Sequence, residues 1–109
     1  MARSYKILGQ QNPAASTNTL LYSVPAATEA VVSTLSISNL TASAATYRIA
    51  TIPSGESLSN KHYLAFNTTI PALDTVAVTL GLTLASSGSI VVFSSSASTA
   101  FSAFGSEIS

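Results

Sequence analysis

A chain of 109 residues is long enough to bury one hydrophobic core without disulfides, and 47% of its residues are hydrophobic while only 7% are charged. The four basic and four acidic residues cancel, so no strong electrostatic field attracts nucleic acid, an anionic membrane or a charged substrate. The absence of cysteine excludes a disulfide framework and a thiolate metal site.

Turn residues recur at a regular spacing, and no segment keeps a helical period for more than a turn or two, which predicts an all-β chain. We predict one domain over residues 1–109, an antiparallel β-sandwich with a jelly-roll winding as the finer expectation. The predicted strands are, in chain order, Tyr5–Gln10, Thr19–Val24, Ala30–Leu40, Thr46–Ile52, His62–Asn67, Thr75–Leu84, Ser89–Ser95 and Thr99–Ile108.

The N-terminal segment MARSYKILGQ has no apolar core of the kind found in signal peptides. No run of the chain approaches the ~18 apolar residues of a membrane span. These features predict a protein made in the cytoplasm and without a membrane partner. Residues 1–18 are predicted to form either the first strand of the sandwich or an arm that reaches across to a neighbouring subunit.

The segment TVAVTLGLTL, residues 75–84, shows the strict period-two alternation of a half-buried strand. Valine and leucine fall on one side: Val76, Val78, Leu80, Leu82 and Leu84. The other side carries only threonine, alanine and glycine, none of which brings acid–base or nucleophilic chemistry. A neutral surface of this kind favours a protein that is part of an assembly, because dispersed small domains usually carry a net charge of about 2 to 8. The alternative is a monomer that its many serine and threonine hydroxyls keep in solution.

Candidate catalytic and metal-binding groups are few. His62 is the one histidine, and no nucleophile-elbow motif accompanies it. The four acidic residues are far apart in the sequence, and no glycine-rich phosphate loop is present. We therefore assign no catalytic residue, no cofactor and no metal, and predict that the chain is not an enzyme.

Carbohydrate binding is an alternative, because β-sandwiches can bind sugars through an aromatic platform with amide groups nearby. Tyr63, Asn60 and Asn67 could form such a patch. Tryptophan is absent, and core or strand-edge roles are the competing interpretation for each tyrosine.

Apolar residues point to both faces of the last two strands, in SIVVF and TAFSAFGSEI. Strands buried on both faces occur where a sheet packs against another body, so this pattern favours a subunit interface over a central strand covered by a loop. The candidate contact residues are Tyr5, Lys6, Phe93, Phe104 and Ile108.

Seven segments, in this order and spacing, make the whole chain resemble a family: YKILGQ at residue 5, LYSVPA at 21, AVVSTLSISN at 30, ATYRIA at 45, KHYLAF at 61, LGLTLA at 80 and FGSEI at 104. The chain is similar to small virion structural proteins of tailed bacteriophages, including cyanophages. The resemblance carries no catalytic or ligand motif. Some such β-sandwich proteins decorate or cement capsids as trimers, and others join necks, collars or fibres.

The resemblance implies a structural protein of the virion, made in the host cytoplasm. The first expectation is a capsid decoration or cement protein that binds the major capsid protein as a homotrimer. The alternative is a neck, collar or tail-fibre-associated subunit that contacts neck or tail proteins. A glycan-binding module is the third interpretation, from a different functional class.

Overall fold

The structure, a computed structural model, describes residues 3–109, except for the side chain of Leu80. Met1 and Ala2, which belong to the predicted N-terminal strand or arm, lie outside the described residues. The described part contains eight strands: β1 (Arg3–Gln11), β2 (Thr19–Ser23), β3 (Glu29–Asn39), β4 (Ala45–Ile52), β5 (Tyr63–Ile70), β6 (Thr75–Leu84), β7 (Ser89–Ser94) and β8 (Thr99–Ile108). One short 3₁₀ turn, Asn60–His62, precedes β5.

The strands form two four-stranded sheets. The first sheet has the order β1-β8-β3-β6, and the second has the order β2-β7-β4-β5. All neighbours are antiparallel, so the predicted antiparallel sandwich of about eight strands is confirmed. The jelly-roll winding stays a prediction.

The core lies between the two sheets and is built from the inward-facing half of each alternating strand. Phe101 on β8 is the largest fully buried side chain. Aliphatic residues of both sheets surround the centre of the core: Val32, Leu35, Ile37, Ile49, Ile70, Ile90 and Val92. Tyr22 and Tyr47 are also buried, as expected for a tyrosine in the core.

The alternation predicted for residues 75–84 is confirmed in β6. Thr75, Ala77, Thr79 and Thr83 are exposed, whereas Val76, Val78 and Leu82 are half-buried and Leu84 is buried. The side chain of Leu80, predicted to lie with the second group, is outside the described residues.

The prediction that His62 opens a strand is wrong. His62 ends the 3₁₀ turn, and β5 runs from Tyr63 to Ile70. The backbone N–H of His62 donates to the carbonyl of Ser59 at 3.1 Å, and the Ser59 N–H donates back to His62 Nδ1 at 2.9 Å. These two bonds hold residues 59–62 in a turn.

The first strand lies at an edge of the first sheet, where β8 is its neighbour. Most of its side chains are exposed, and Leu8 and Gly9 are partly buried. Residues 3–11 therefore pair within the same chain. Residues 3–109 contain no helix with the length and apolar character needed to cross a membrane.

Candidate functional site

An apolar patch lies on the outer face of the first sheet. Ile7 on β1 pairs directly with Phe104 on β8, and the same register pairs Arg3 with Ile108. Phe101 and Ala103 are buried, so the period of two directs Phe104 to the opposite, outer side. We call Tyr5, Ile7, Phe104 and Ile108 the outer patch.

The outer patch is open to solvent. Tyr5 is 76% exposed and Ile7 is 53% exposed, while Phe104 and Ile108 are half-buried. The central outward-facing positions of the sheet are small and uncharged: Ser36, Ser38, Thr75, Ala77, Thr79, Ala100 and Ser102. A surface of small residues with an apolar end is suited to packing against another protein.

The structure brings together three of the five predicted contact residues, Tyr5, Phe104 and Ile108. Lys6 is their neighbour in sequence, but it pairs with Gly105 and lies on the inward side of β1. Phe93 lies on β7 of the other sheet. Ile7 belongs to the same surface and was not predicted, although its alternation with Tyr5 could have indicated it.

Lys6 takes part in a polar cluster at one end of the space between the sheets. Its Nζ lies 2.6 Å from Oε1 of Glu107, and the Tyr22 hydroxyl donates to Oε2 of the same carboxylate. Hydrogen bonds from Lys6 and then Tyr22 hold the pKa of Glu107 below its usual range. Burial, followed by the bond to Glu107, raises the pKa of Tyr22. The cluster joins β1, β2 and β8.

Glu107→Gln is expected to make folding less sensitive to acid. The pKa of Glu107 is lower in the folded than in the unfolded chain, so its contribution is complete above the unfolded value of about 4.3 and is lost as pH falls through the folded value. Urea unfolding between about pH 7 and pH 3 should therefore show a smaller loss of stability for Glu107→Gln than for the native chain. Glu29→Gln, at an exposed carboxylate outside the cluster, is the control. Parallel profiles for the native chain and Glu107→Gln would contradict this account.

His62 is buried, and both of its ring nitrogens form hydrogen bonds with residues of the loop before it. Because Nδ1 accepts from Ser59, we assign the proton to Nε2, which lies 3.0 Å from Oε1 of Glu56. Lys61 also contacts Glu56, and bonds from Lys61 and then His62 lower the pKa of Glu56. This arrangement stabilises the loop and leaves neither nitrogen free to take a proton from a substrate. Within residues 3–109, histidine and acidic side chains do not gather in groups of three that could hold a metal ion.

A second candidate site lies on the outer face of the second sheet, where β5 contains a bulge. Tyr47 pairs with Thr68 and Ile49 pairs with Ala65. One residue of β4, Arg48, therefore lies opposite two residues of β5, Phe66 and Asn67. Asn67 has a φ of 51°, a left-handed conformation that is uncommon outside glycine and tolerated best by asparagine. Bulges of this kind redirect side chains.

The bulge places Phe66 and Asn67 against the Arg48 guanidinium. Its Cζ lies 4.2 Å from the ring centroid of Phe66 and 4.2 Å from that of Phe93. The two rings come from β5 and β7, the strands on either side of β4, so they approach the guanidinium from opposite sides. The Nε–H donates to Oδ1 of Asn67 at 2.7 Å. Arg48 is thus fixed in one orientation.

A shallow pocket adjoins this arginine, and Asn60, Tyr63 and Phe66 line it. The rings of Tyr63 and Phe66 meet edge to face, with centroids 4.9 Å apart. Sequence reasoning identified Tyr63, Asn60 and Asn67 as a patch but missed Arg48 and Phe66. Their contribution depends on the register between β4 and β5, which no local pattern in the sequence reveals.

Comparison of the chain with protein-family models, with curated proteins and with solved structures gives no match.

Proposed function

We propose that the chain is a structural protein of a tailed-phage particle and decorates or cements the head by binding the major capsid protein. The observation that carries the proposal is the outer patch. Exposed Tyr5 and Ile7 lie beside Phe104 on a sheet face whose other residues are mostly small and polar, with Arg3 and Glu29 on either side of Ile108. The resemblance of the whole sequence to small virion proteins gives the patch its proposed partners.

Burial of the outer patch supplies the proposed binding energy. Full burial of an isoleucine stabilises a complex by roughly 1.5–3 kcal/mol before the costs of association, and Ile7, which is 53% exposed, can supply about half of that. A patch of this size gives a modest contact for one subunit. A homotrimer multiplies that contact, because the second and third sites bind at a high effective concentration.

The winding of the chain supports the same proposal. The strands pair as β1 with β8, β2 with β7, β3 with β6 and β4 with β5. We infer that a long antiparallel ribbon is folded around the core in the jelly-roll manner, an architecture found in viral capsid domains. Strand order supports the inference about architecture only. The functional proposal depends on the residues of the outer patch.

Immunogold electron microscopy of intact particles tests the proposal. An antibody raised against this chain should label particles of the phage that encodes it, with gold spread over the head. Pre-immune serum is the control. Gold confined to the neck or tail would replace the decoration role with the neck, collar or tail-fibre alternative. Particles without label, after disruption has exposed their inner proteins, would overturn the virion assignment.

A further inference from the structure

The geometry points to a binding site for a carboxylated saccharide on the outer face of the second sheet. Arg48 binds the carboxylate, and the pocket of Asn60, Tyr63 and Phe66 binds the sugar ring. This site lies on the opposite side of the sandwich from the outer patch. The proposed site is therefore additional to the proposed structural role, and each of the two proposals can be tested without the other.

The first step concerns the donors that remain on Arg48. The Phe66 and Phe93 rings each lie 4.2 Å from Cζ of the guanidinium, and the Nε–H donates to Asn67. The two Nη groups donate no hydrogen bond to any residue of the described chain, and no acidic group of residues 3–109 forms an ion pair with Arg48. The free donors lie in the guanidinium plane, where a carboxylate can accept two parallel hydrogen bonds.

The second step concerns preorganisation. A free arginine side chain loses most of its rotamer freedom when a ligand orders it. Here the rings and Asn67 have already fixed the side chain, so little of that cost remains for the ligand. The fixation itself requires a β-bulge and a left-handed asparagine, features that occur often beside binding sites.

The third step concerns the adjoining pocket. Phe66 contacts Arg48 and also lines the pocket. Because the guanidinium and the pocket share this residue, a small ligand can reach both. The pocket volume of about 210 Å³ is below the roughly 300–1,000 Å³ of sites that hold a drug-sized molecule. One sugar ring suits this space. The Asn60 amide can pair with ring hydroxyls, and the apolar face of the sugar can lie against the aromatic walls.

The lining favours a carboxylated sugar over a phosphate or an acidic peptide. Arg48 is the cation that contacts Phe66 and Phe93. The chain has no net charge that would attract a multiply charged anion. The remaining partners are neutral amide and aromatic groups, which match hydroxyls and C–H faces. A carboxylate on a saccharide ring presents both chemistries together.

NMR titration of the full chain tests the site, with a glucuronate-containing oligosaccharide as probe and a glucose oligosaccharide of equal length as the neutral control. We expect saturable shifts of Arg48 Nε–H and of Asn60, Tyr63 and Phe66 amides with the acidic probe, and binding at least tenfold weaker with the neutral one. Arg48→Lys keeps the charge but loses the planar fork, and should weaken binding of the acidic probe at least tenfold. Arg3→Lys, at an exposed arginine of the other sheet, should leave binding unchanged.

Asn60→Ala tests the contact with the sugar ring separately from the contact between Arg48 and the carboxylate. Asn60 is an exposed residue at the start of the 3₁₀ turn, and the hydrogen-bond partner of Arg48 is Asn67. Its loss should weaken binding of the acidic oligosaccharide several-fold and leave acetate binding as it is. Equal affinity for acetate, phosphate and the acidic oligosaccharide would overturn the saccharide assignment. The site itself would be refuted by an absence of shifts at about 10 mM probe, or by Arg48→Lys binding as well as the native chain while it retains the native spectrum.

Discussion

Gly105→Ala is expected to destabilise the sandwich by about 3 kcal/mol or more, the largest stability effect that we predict for a single methyl group. A Cβ atom at Gly105 would collide with the carbonyl oxygen of Val31 and lie 3.0 Å from Cα of Val32. Both obstacles are backbone atoms of β3, which is paired on both sides, with β8 and with β6. Neither can move without breaking one of these ladders.

Gly55→Ala is the matched control. Gly55 has a φ of +82°, and a Cβ there would meet nothing within 4 Å. Its replacement therefore costs only the strain of a left-handed alanine, about 1 kcal/mol. Urea unfolding of both variants measures the difference. If Gly105→Ala costs no more than Gly55→Ala, the close approach of β8 to β3 is not as the structure has it.

Phe104→Ala is expected to raise the dissociation constant of the proposed complex with the major capsid protein at least tenfold, which corresponds to about 1.4 kcal/mol. Aromatic residues at the centre of an interface contribute much of its binding energy. Phe104 is half-buried on the outer face of the first sheet and pairs with Ile7. In the isolated subunit its loss should therefore lower the melting temperature only slightly. Sedimentation equilibrium measures the association, and calorimetry of the dilute subunit measures the melting temperature.

Ile7 and Leu20 provide a matched pair for the same question. Ile7 is 53% exposed on β1, and Leu20 is 51% exposed on β2 of the other sheet. Ile7→Ser should weaken association, whereas Leu20→Ser should not. If Phe104→Ala unfolds the subunit and leaves the association of the folded fraction unchanged, Phe104 belongs to the core. If Ile7→Ser and Leu20→Ser weaken association equally, the first sheet is not the contact face.

The alternation of apolar residues predicts most of the fold. The bounds of β6 and β8 agree with the prediction. Strict alternation marks β6, and the small polar residues of SSSAS mark the start of β8. The start of β5 was wrong, since bonds between His62 and Ser59 stabilise a turn in a segment whose composition is typical of a strand. Such side-chain-to-backbone bonds compete with strand formation, and composition does not reveal them.

The candidate sites were less predictable because they depend on register and on distant pairs. Tyr22 and Glu107 are 85 residues apart in the chain, yet they share a hydrogen bond. The Arg48 site requires an extra residue in β5 relative to β4, and Phe66 has no local pattern that assigns it to that site. Phe104, by contrast, is a predicted contact residue because Phe101 and Phe104 point to opposite faces of one strand, a pattern that the sequence itself contains.

Hydroxyl-radical footprinting of the intact particle and of the isolated subunit tests the central claim most directly. Tyr5 is 76% exposed in the subunit, and Tyr63, on the other sheet, serves as the internal reference. If the outer patch is the buried contact face, Tyr5 and Phe104 will be strongly protected in the particle, and Tyr63 will keep its reactivity. Equal reactivity of Tyr5 in the particle and in the subunit would contradict the account.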